Sequence, residues 1–337
     1  AGNVTVSGII GSGSGSLIVD GTGVVTLSNA ANTYTGQTFI KNGTLSVSNI
    51  GSVSVAGGLG APTTTGDGTI AIGDVANTGT LKWTGSSNES TDRVIDLAGT
   101  TGGATIDASG SGVLTLSSAI TATGVGAKSL TLTGTGGTAG TPNVISSGIS
   151  DGSSVISLIK NGTGVWKLDA ASSYTGTTTI QNGTLLLGSF SQDFSALTLG
   201  GLSGGAATLA LGSSGTARLT GDVTFSAANN PSGAIISGSG AAILDLNAAT
   251  RTFVVGSSSS ANGADMTISA VIADALTGGA LTKTGNGTLV LTGANTYVGT
   301  TSVDGGTLIV SPQAIVNSLT INVGTNGTAG ALGCAGE

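Results

Sequence analysis

Two stretches of this chain match the Gly-x-Ser-x-Gly pattern of a nucleophile elbow, Gly148–Gly152 and Gly201–Gly205. An elbow serine needs a base to take its proton, usually histidine, and the 337 residues contain no histidine. The usual triad cannot be assembled, so both matches are read as chance in a chain rich in Gly and Ser. Carboxylates are the next candidates. Asp67 and Asp74 are close in sequence, as are Glu89, Asp92 and Asp96 around Arg93. A carboxylate pair at the right separation could cleave a glycosidic bond. However, Asp67 and Asp74 stand in turn contexts, Gly-Asp-Gly and Gly-Asp-Val. Asp92 and Arg93 open an apolar strand, where charges on the water face are ordinary. Gly134–Ala139 fits the loose dinucleotide fingerprint but lacks a following helix to hold a pyrophosphate, so a turn is expected. Calcium-roll nonapeptides are absent, and the single Cys334 can form no intrachain disulfide. No catalytic, cofactor-binding or metal-ligating residue is assigned.

The composition agrees. Only 7% of residues are charged, against about 25% in ordinary globular domains. Disorder is excluded because 38% of residues are hydrophobic and they alternate with Ser and Thr, as in Ser129-Leu130-Thr131-Leu132-Thr133. Alternation marks half-buried strands. The basic residues are scattered and the formal charge is −7, which argues against nucleic-acid binding. No apolar run approaches the roughly 20 residues of a membrane helix, so this segment is expected not to insert into a membrane. Sequons stand at Asn3, Asn42, Asn88, Asn161, Asn182, Asn286 and Asn326. Most are Asn-Gly-Thr, and a turn entering a strand explains them better than glycosylation.

The elements behind these residues are repeats. Gly21-Thr-Gly-Val-Val-Thr-Leu is followed by Asn32-Thr-Tyr-Thr-Gly-Gln-Thr-Phe-Ile-Lys-Asn-Gly-Thr-Leu-Ser-Val. The same order returns from Gly162 to Leu187 and from Gly285 to Val310. Tyr34, Tyr174 and Tyr297 each precede a Gly two residues on and a Gly-Thr-Leu nine residues on. Asn143-Val-Ile-Ser-Ser-Gly-Ile-Ser-Asp and Asp265-Met-Thr-Ile-Ser-Ala-Val-Ile-Ala-Asp lead into the later copies, and residues 1–10 play that part for the first. This pattern resembles the autotransporter-associated β-strand repeat of bacterial autotransporter passengers and large surface proteins, with strong copies at residues 17–47, 158–187 and 281–310. The resemblance implies an extracellular or cell-surface location.

The expected fold is all-β: a single right-handed parallel β-helix (a β-solenoid) with essentially no α-helix, running through 1–337 as one continuous segment. Inward positions are expected at Val25, Leu27, Leu45, Val47, Trp166, Leu168, Leu185, Leu187, Leu289, Leu291, Leu308 and Val310. Lys160, Lys167 and Asp304 are expected to be exposed. The tyrosines are expected in the core, each with a tethered hydroxyl. The expected role is a structural or adhesive stalk, adhesin body or filament segment, not an enzyme. Its partners would be the rest of a longer chain, another copy end to end, or glycans and cell surfaces. The rivals are a polysaccharide lyase or hydrolase, which needs an acidic groove, and an ice- or surface-binding solenoid. The second rival needs a flat Thr array, and the irregular spacing of pairs such as Thr131/Thr133 argues against it.

Overall fold

The computed structural model describes residues 2–201, 205–228, 230, 232–258, 263–274, 278–314, 320–324 and 330–334. Ala1, Glu337, the sequon Asn326 and residues 202–204 of the second elbow-like stretch lie outside the described residues. The chain forms two compact units, residues 1–176 and 177–337.

In the first unit the strands stack as parallel ladders on three sheets. One runs from Val4–Val6 through Val24–Leu27, Gly43–Val47, Gly79–Trp83, Ala104–Ala108 and Lys128–Thr133 to Ile156–Lys160. The second runs from Leu17–Val19 to Ile120–Thr121. The third begins at Glu89–Thr91 and ends at Val165–Leu168. Successive turns of the chain visit the sheets in rotation, which is the arrangement of a parallel β-helix. The second unit repeats the plan with ladders beginning at Thr178–Ile180, Gly183–Leu187 and Ser191–Phe194. Strands of two to six residues bury one face only when neighbours lie above and below. The single helix among the described residues is one turn, Thr65–Gly68.

The alternation sets the register. Leu130, Leu132, Ile156 and Leu158 are fully buried, while Thr131, Ser157 and Ile159 on the same strands are half-buried on the opposite face. The expected core positions are buried, with Trp166 at 1% exposure. The exception is Val25, which is half-buried, because only the exposed Val4 lies beyond it in the ladder.

The two apolar strands of a repeat prove to be stacked neighbours. Val25 pairs with Leu45 and Leu27 with Val47 in the first copy, and Leu289 with Leu308 and Leu291 with Val310 in the third. Tyr34 and Tyr297 are buried. Their hydroxyls hydrogen-bond Thr38 Oγ1 at 2.9 Å and Thr301 Oγ1 at 2.7 Å. The lead-in segments also acquire a reason. The N–H groups of Ile10 and Ile272 donate to Asn32 Oδ1 and Asn295 Oδ1 at 2.9 and 2.7 Å. Ile149 N–H donates to Ser172 Oγ at 3.1 Å. The Asn or Ser that opens each Asn/Ser-Thr/Ser-Tyr element thus ties its repeat to the preceding rung.

The outward expectations hold only in part. Lys160 is not exposed but fully buried. It shares parity with Ile156 and Leu158 and pairs with Leu132, so strand alternation overrides its charge. Its ammonium donates to the carbonyls of Asn161 and Gly162, each at 2.8 Å, where the corner turns. Lys283 is buried in the same way and donates to Thr284, Gly285 and Gly305. Lys167 does point outward, half-exposed and paired with Asp169 at 2.7 Å. Asp304 is half-buried rather than fully exposed.

Burial pushes Lys160 down to about 7 and Lys283 to about 8. Both folded values lie below the unfolded lysine value near 10.4. Between the two, the native state sheds a proton that the unfolded chain keeps, so stability rises with pH across that window and is flat below it. Urea unfolding at pH 7 and pH 9 is expected to show Lys160 contributing about 2 kcal/mol of this rise. In Lys160→Met that contribution disappears. An unchanged pH slope in the variant counts against a buried, titrating ammonium.

Candidate functional site

The first unit departs from its regular rungs once, in residues 48–69 between Gly43–Val47 and Ile70–Ile72. The other strand-free stretches of this unit are no more than about half as long, the longest being 7–16, 28–37 and 146–155. Long ordered excursions from a rigid scaffold are where binding surfaces concentrate. This loop has its own small core, Ile50 and Leu59, both fully buried. It closes on itself through Ser54 N–H to Pro62 O at 2.7 Å, with Ser54 in the left-handed region at φ 64°.

Neighbouring rungs pin the loop from both sides. From the preceding rung, Asn32 Nδ2 donates to Gly58 O at 2.8 Å and Tyr34 O accepts from Ala61 N–H at 2.8 Å. From the following rung come the charged residues that the sequence clusters at 89–93. Glu89 Oε1 accepts from Asn49 Nδ2, Ile50 N–H and Gly51 N–H at 3.1, 2.7 and 2.8 Å. Its Oε2 accepts from Trp83 Nε1 at 2.6 Å. Asp92 Oδ1 accepts from Val53 N–H at 2.8 Å. Arg93, 1% exposed, donates through Nε to Gly51 O and through Nη2 to Gly60 O, at 3.2 and 3.1 Å. Burial draws its guanidinium below the usual value, while Tyr34, Asp92 and Glu89 pull the other way. Arginine remains charged regardless.

Between loop and rungs lies an open, mainly polar cleft of about 510 Å³. Ser48, Asn49 and Ala56 line the loop side, and Thr84, Ser86, Ser87, Asn88 and Glu89 the other. Hydroxyl and amide groups dominate, and Glu89 is the one charged residue in the lining. The cleft can accept and donate hydrogen bonds. It does not present the pair of carboxylates that glycosidic chemistry uses.

The other sequence candidates are dispersed. Asp96 is buried and accepts from Thr123 N–H and Oγ1 at 2.9 and 2.6 Å. Asp67 accepts from the cap residue Thr64 Oγ1 at 2.8 Å, and Asp74 faces Lys41 at 3.6 Å. Gly148 and Gly152 are left-handed turn residues flanking Ser150, whose N–H bonds Ile120 O. Gly134 and Gly137 likewise have positive φ, in a turn between two strands. Asn42, Asn161 and Asn182 turn their Oδ1 onto the N–H of the following Gly at 2.7–2.8 Å. Among the described residues no group of three His, Cys, Asp or Glu comes together to hold a metal ion. No helix among them is long and apolar enough to cross a membrane.

The threonines are more regular than their spacing suggests. Thr44, Thr80, Thr105 and Thr131 stand in register on four successive strands of one sheet. The next outward column reads Ser46, Lys82, Asp107, Thr133 and holds a Lys82–Asp107 ion pair at 3.0 Å. That charged pair breaks the uniform Thr face an ice-binding surface needs.

The model of the passenger-associated-transport-repeat family matches residues 17–47, 158–187 and 281–310. The chain is 32% identical over 331 residues to the adhesin BmaC autotransporter of Brucella suis biovar 1 (strain 1330). That alignment covers 92% of this chain and 9% of the longer protein. No solved structure matches the chain.

Proposed function

We propose that this chain, an autotransporter passenger repeat protein, works outside the cell at the bacterial surface as a stiff structural and adhesive β-helix segment, and performs no catalysis itself. The stacking carries this reading. In each unit every ladder is parallel and in register, so backbone hydrogen bonds run along the stack over an aliphatic core. Such a stack resists bending and grows by adding rungs.

The outermost strands support growth. Among the described residues, Val4–Val6 and Leu17–Val19 each pair on one side only, as do Ile321–Val323 and Gly330–Cys334. Val4, Ile18 and Leu332 are exposed at 53%, 56% and 42%. Open strand edges with apolar side chains recruit another strand. Further rungs of a longer chain, or another copy end to end, are the occupants that complete these ladders. The Brucella relative is an adhesin, which favours surface attachment as the purpose of this segment.

Light scattering and electron microscopy of the purified chain test this. End-to-end fibres that lengthen with concentration are expected. Lysines at both edges, Val4→Lys with Leu332→Lys, are expected to leave single particles. A stable monomer whose edge amides are protected from exchange sinks the reading. Turnover of a polysaccharide that is lost in Asp92→Asn overturns its non-catalytic part.

A further inference from the structure

We propose that the cleft beside the 48–69 loop is a subsite for a neutral, hydroxyl-rich saccharide unit. This rests on the adhesive reading above and adds the class of ligand. A cleft of about 510 Å³ lies in the size range of small-ligand sites. Among the described residues nothing takes the hydroxyls of Ser48, Ser86 and Ser87, all of which line it. Thr84 and Asn88 are held in place, by Val47 O at 3.2 Å and Val113 N–H at 3.0 Å. The cleft therefore offers free donors and acceptors on fixed walls. Glu89 joins those walls by holding the loop backbone and Trp83 together, so the polar groups are arranged before a ligand arrives.

Charge narrows the choice. No Lys or Arg lines the cleft, so a phosphate, sulfate or uronate meets no counter-charge. The carboxylate of Glu89 is already engaged at both oxygens, which leaves little for a cationic ligand. Apolar anchoring is also weak. Ala30 and Ala56 are the apolar contributors to the lining, and Trp83 is fully buried, offering no exposed ring. A peptide would need an apolar anchor pocket or a free strand edge. The lining has no such pocket, and the outer edge of Glu89–Thr91 is covered by the 48–69 loop, where Ser52 Oγ donates to Ser90 O at 3.4 Å and Thr91 Oγ1 to Gly51 O at 2.7 Å. Uncharged hydroxyl groups fit best. With hydrogen bonds alone, one site binds weakly, with Kd on the order of 1 mM, and many copies along a surface raise avidity.

The test is a titration of the ¹⁵N-labelled chain carrying Val4→Lys and Leu332→Lys, neither of which lines the cleft, with lactose, cellobiose, digalacturonic acid and tetra-alanine, each to about 50 mM. At least one neutral disaccharide is expected to shift the amides of Ser48, Ser86, Ser87 and Asn88, with digalacturonic acid about tenfold weaker or silent. Ala56→Trp and Ser86→Arg, both at exposed positions, are expected to abolish those shifts and leave the remaining spectrum intact. Silence from both neutral sugars overturns the proposal. So do shifts mapped elsewhere, preference for the acid or the peptide, or unaltered binding in both variants. Because the edge-lysine chain is read as single particles whatever the parent assembles into, failure of the titration is separate from failure of the self-association reading.

Discussion

Gly43→Val is expected to cost about 4 kcal/mol and to melt the rungs around it. Two independent obstacles act at this position. Gly43 has φ +74°, a region that β-branched residues avoid. A Cβ there would also lie 2.0 Å from Gly21 O and 2.6 Å from Gly23 O. Both are backbone atoms of the preceding rung, so relief requires breaking the ladder that pairs Val24–Leu27 with Gly43–Val47. Gly13→Val is the control, because nothing lies within 4 Å of a Cβ there and its φ is not positive. It is expected to stay within about 0.5 kcal/mol of the parent. Long repeat arrays need not unfold as one unit, so hydrogen exchange at the amides of Val24–Leu27 and Gly43–Val47 is the decisive readout. If Gly43→Val leaves those amides protected, the close stacking at the Asn-Gly corner is wrong.

Gly43 also shows what the sequence reveals and what it hides. The Asn-Gly-Thr-Leu element announces a turn into a strand, and Leu45 and Val47 alternate inward as period-two patterning requires. The tyrosines were equally legible, because each shares parity with an inward Ile or Val. What a local pattern does not contain is which strand stacks on which. The pairing of the two apolar strands within one repeat depends on how many residues one circuit of the β-helix takes. That number varies from rung to rung in this chain, as the 48–69 excursion shows.

Lys160 exposes a second limit. A charge predicts water more strongly than alternation predicts the core, so the residue reads as outward. The actual compensation is invisible locally: the carbonyls of the corner are oriented to receive an ammonium. Asp96 repeats the lesson at a carboxylate, satisfied by Thr123 some 27 residues later, one rung on. In a stack, polar partners are separated by a rung length, and only the register reveals them. The same holds for the 89–93 cluster. In sequence it looks like a possible acid–base pair, yet its charges pin a loop that lies about 40 residues earlier.

Glu89→Ala is expected to cost about 3 kcal/mol, most of it paid locally by the loop. The carboxylate satisfies Ile50 N–H, Gly51 N–H, Asn49 Nδ2 and Trp83 Nε1. Ile50 and Trp83 are both fully buried, so removing the acceptor strands donors with poor access to water. Charge-assisted bonds of this kind are also stronger than neutral ones. Glu89→Gln should lose about half as much. Its carbonyl can still receive Ile50 and Gly51, but its amide nitrogen then meets the Trp83 N–H as a second donor. The two variants therefore form a graded series. Hydrogen exchange at Ile50, Gly51 and Val53 should accelerate in the order parent, Gln, Ala, and the fluorescence of Trp83 should move toward that of a solvated ring in Ala. The ladders of the second unit should be untouched. Equal exchange in all three proteins, with stability within about 0.5 kcal/mol, would show that the loop holds itself and that Glu89 is dispensable to it.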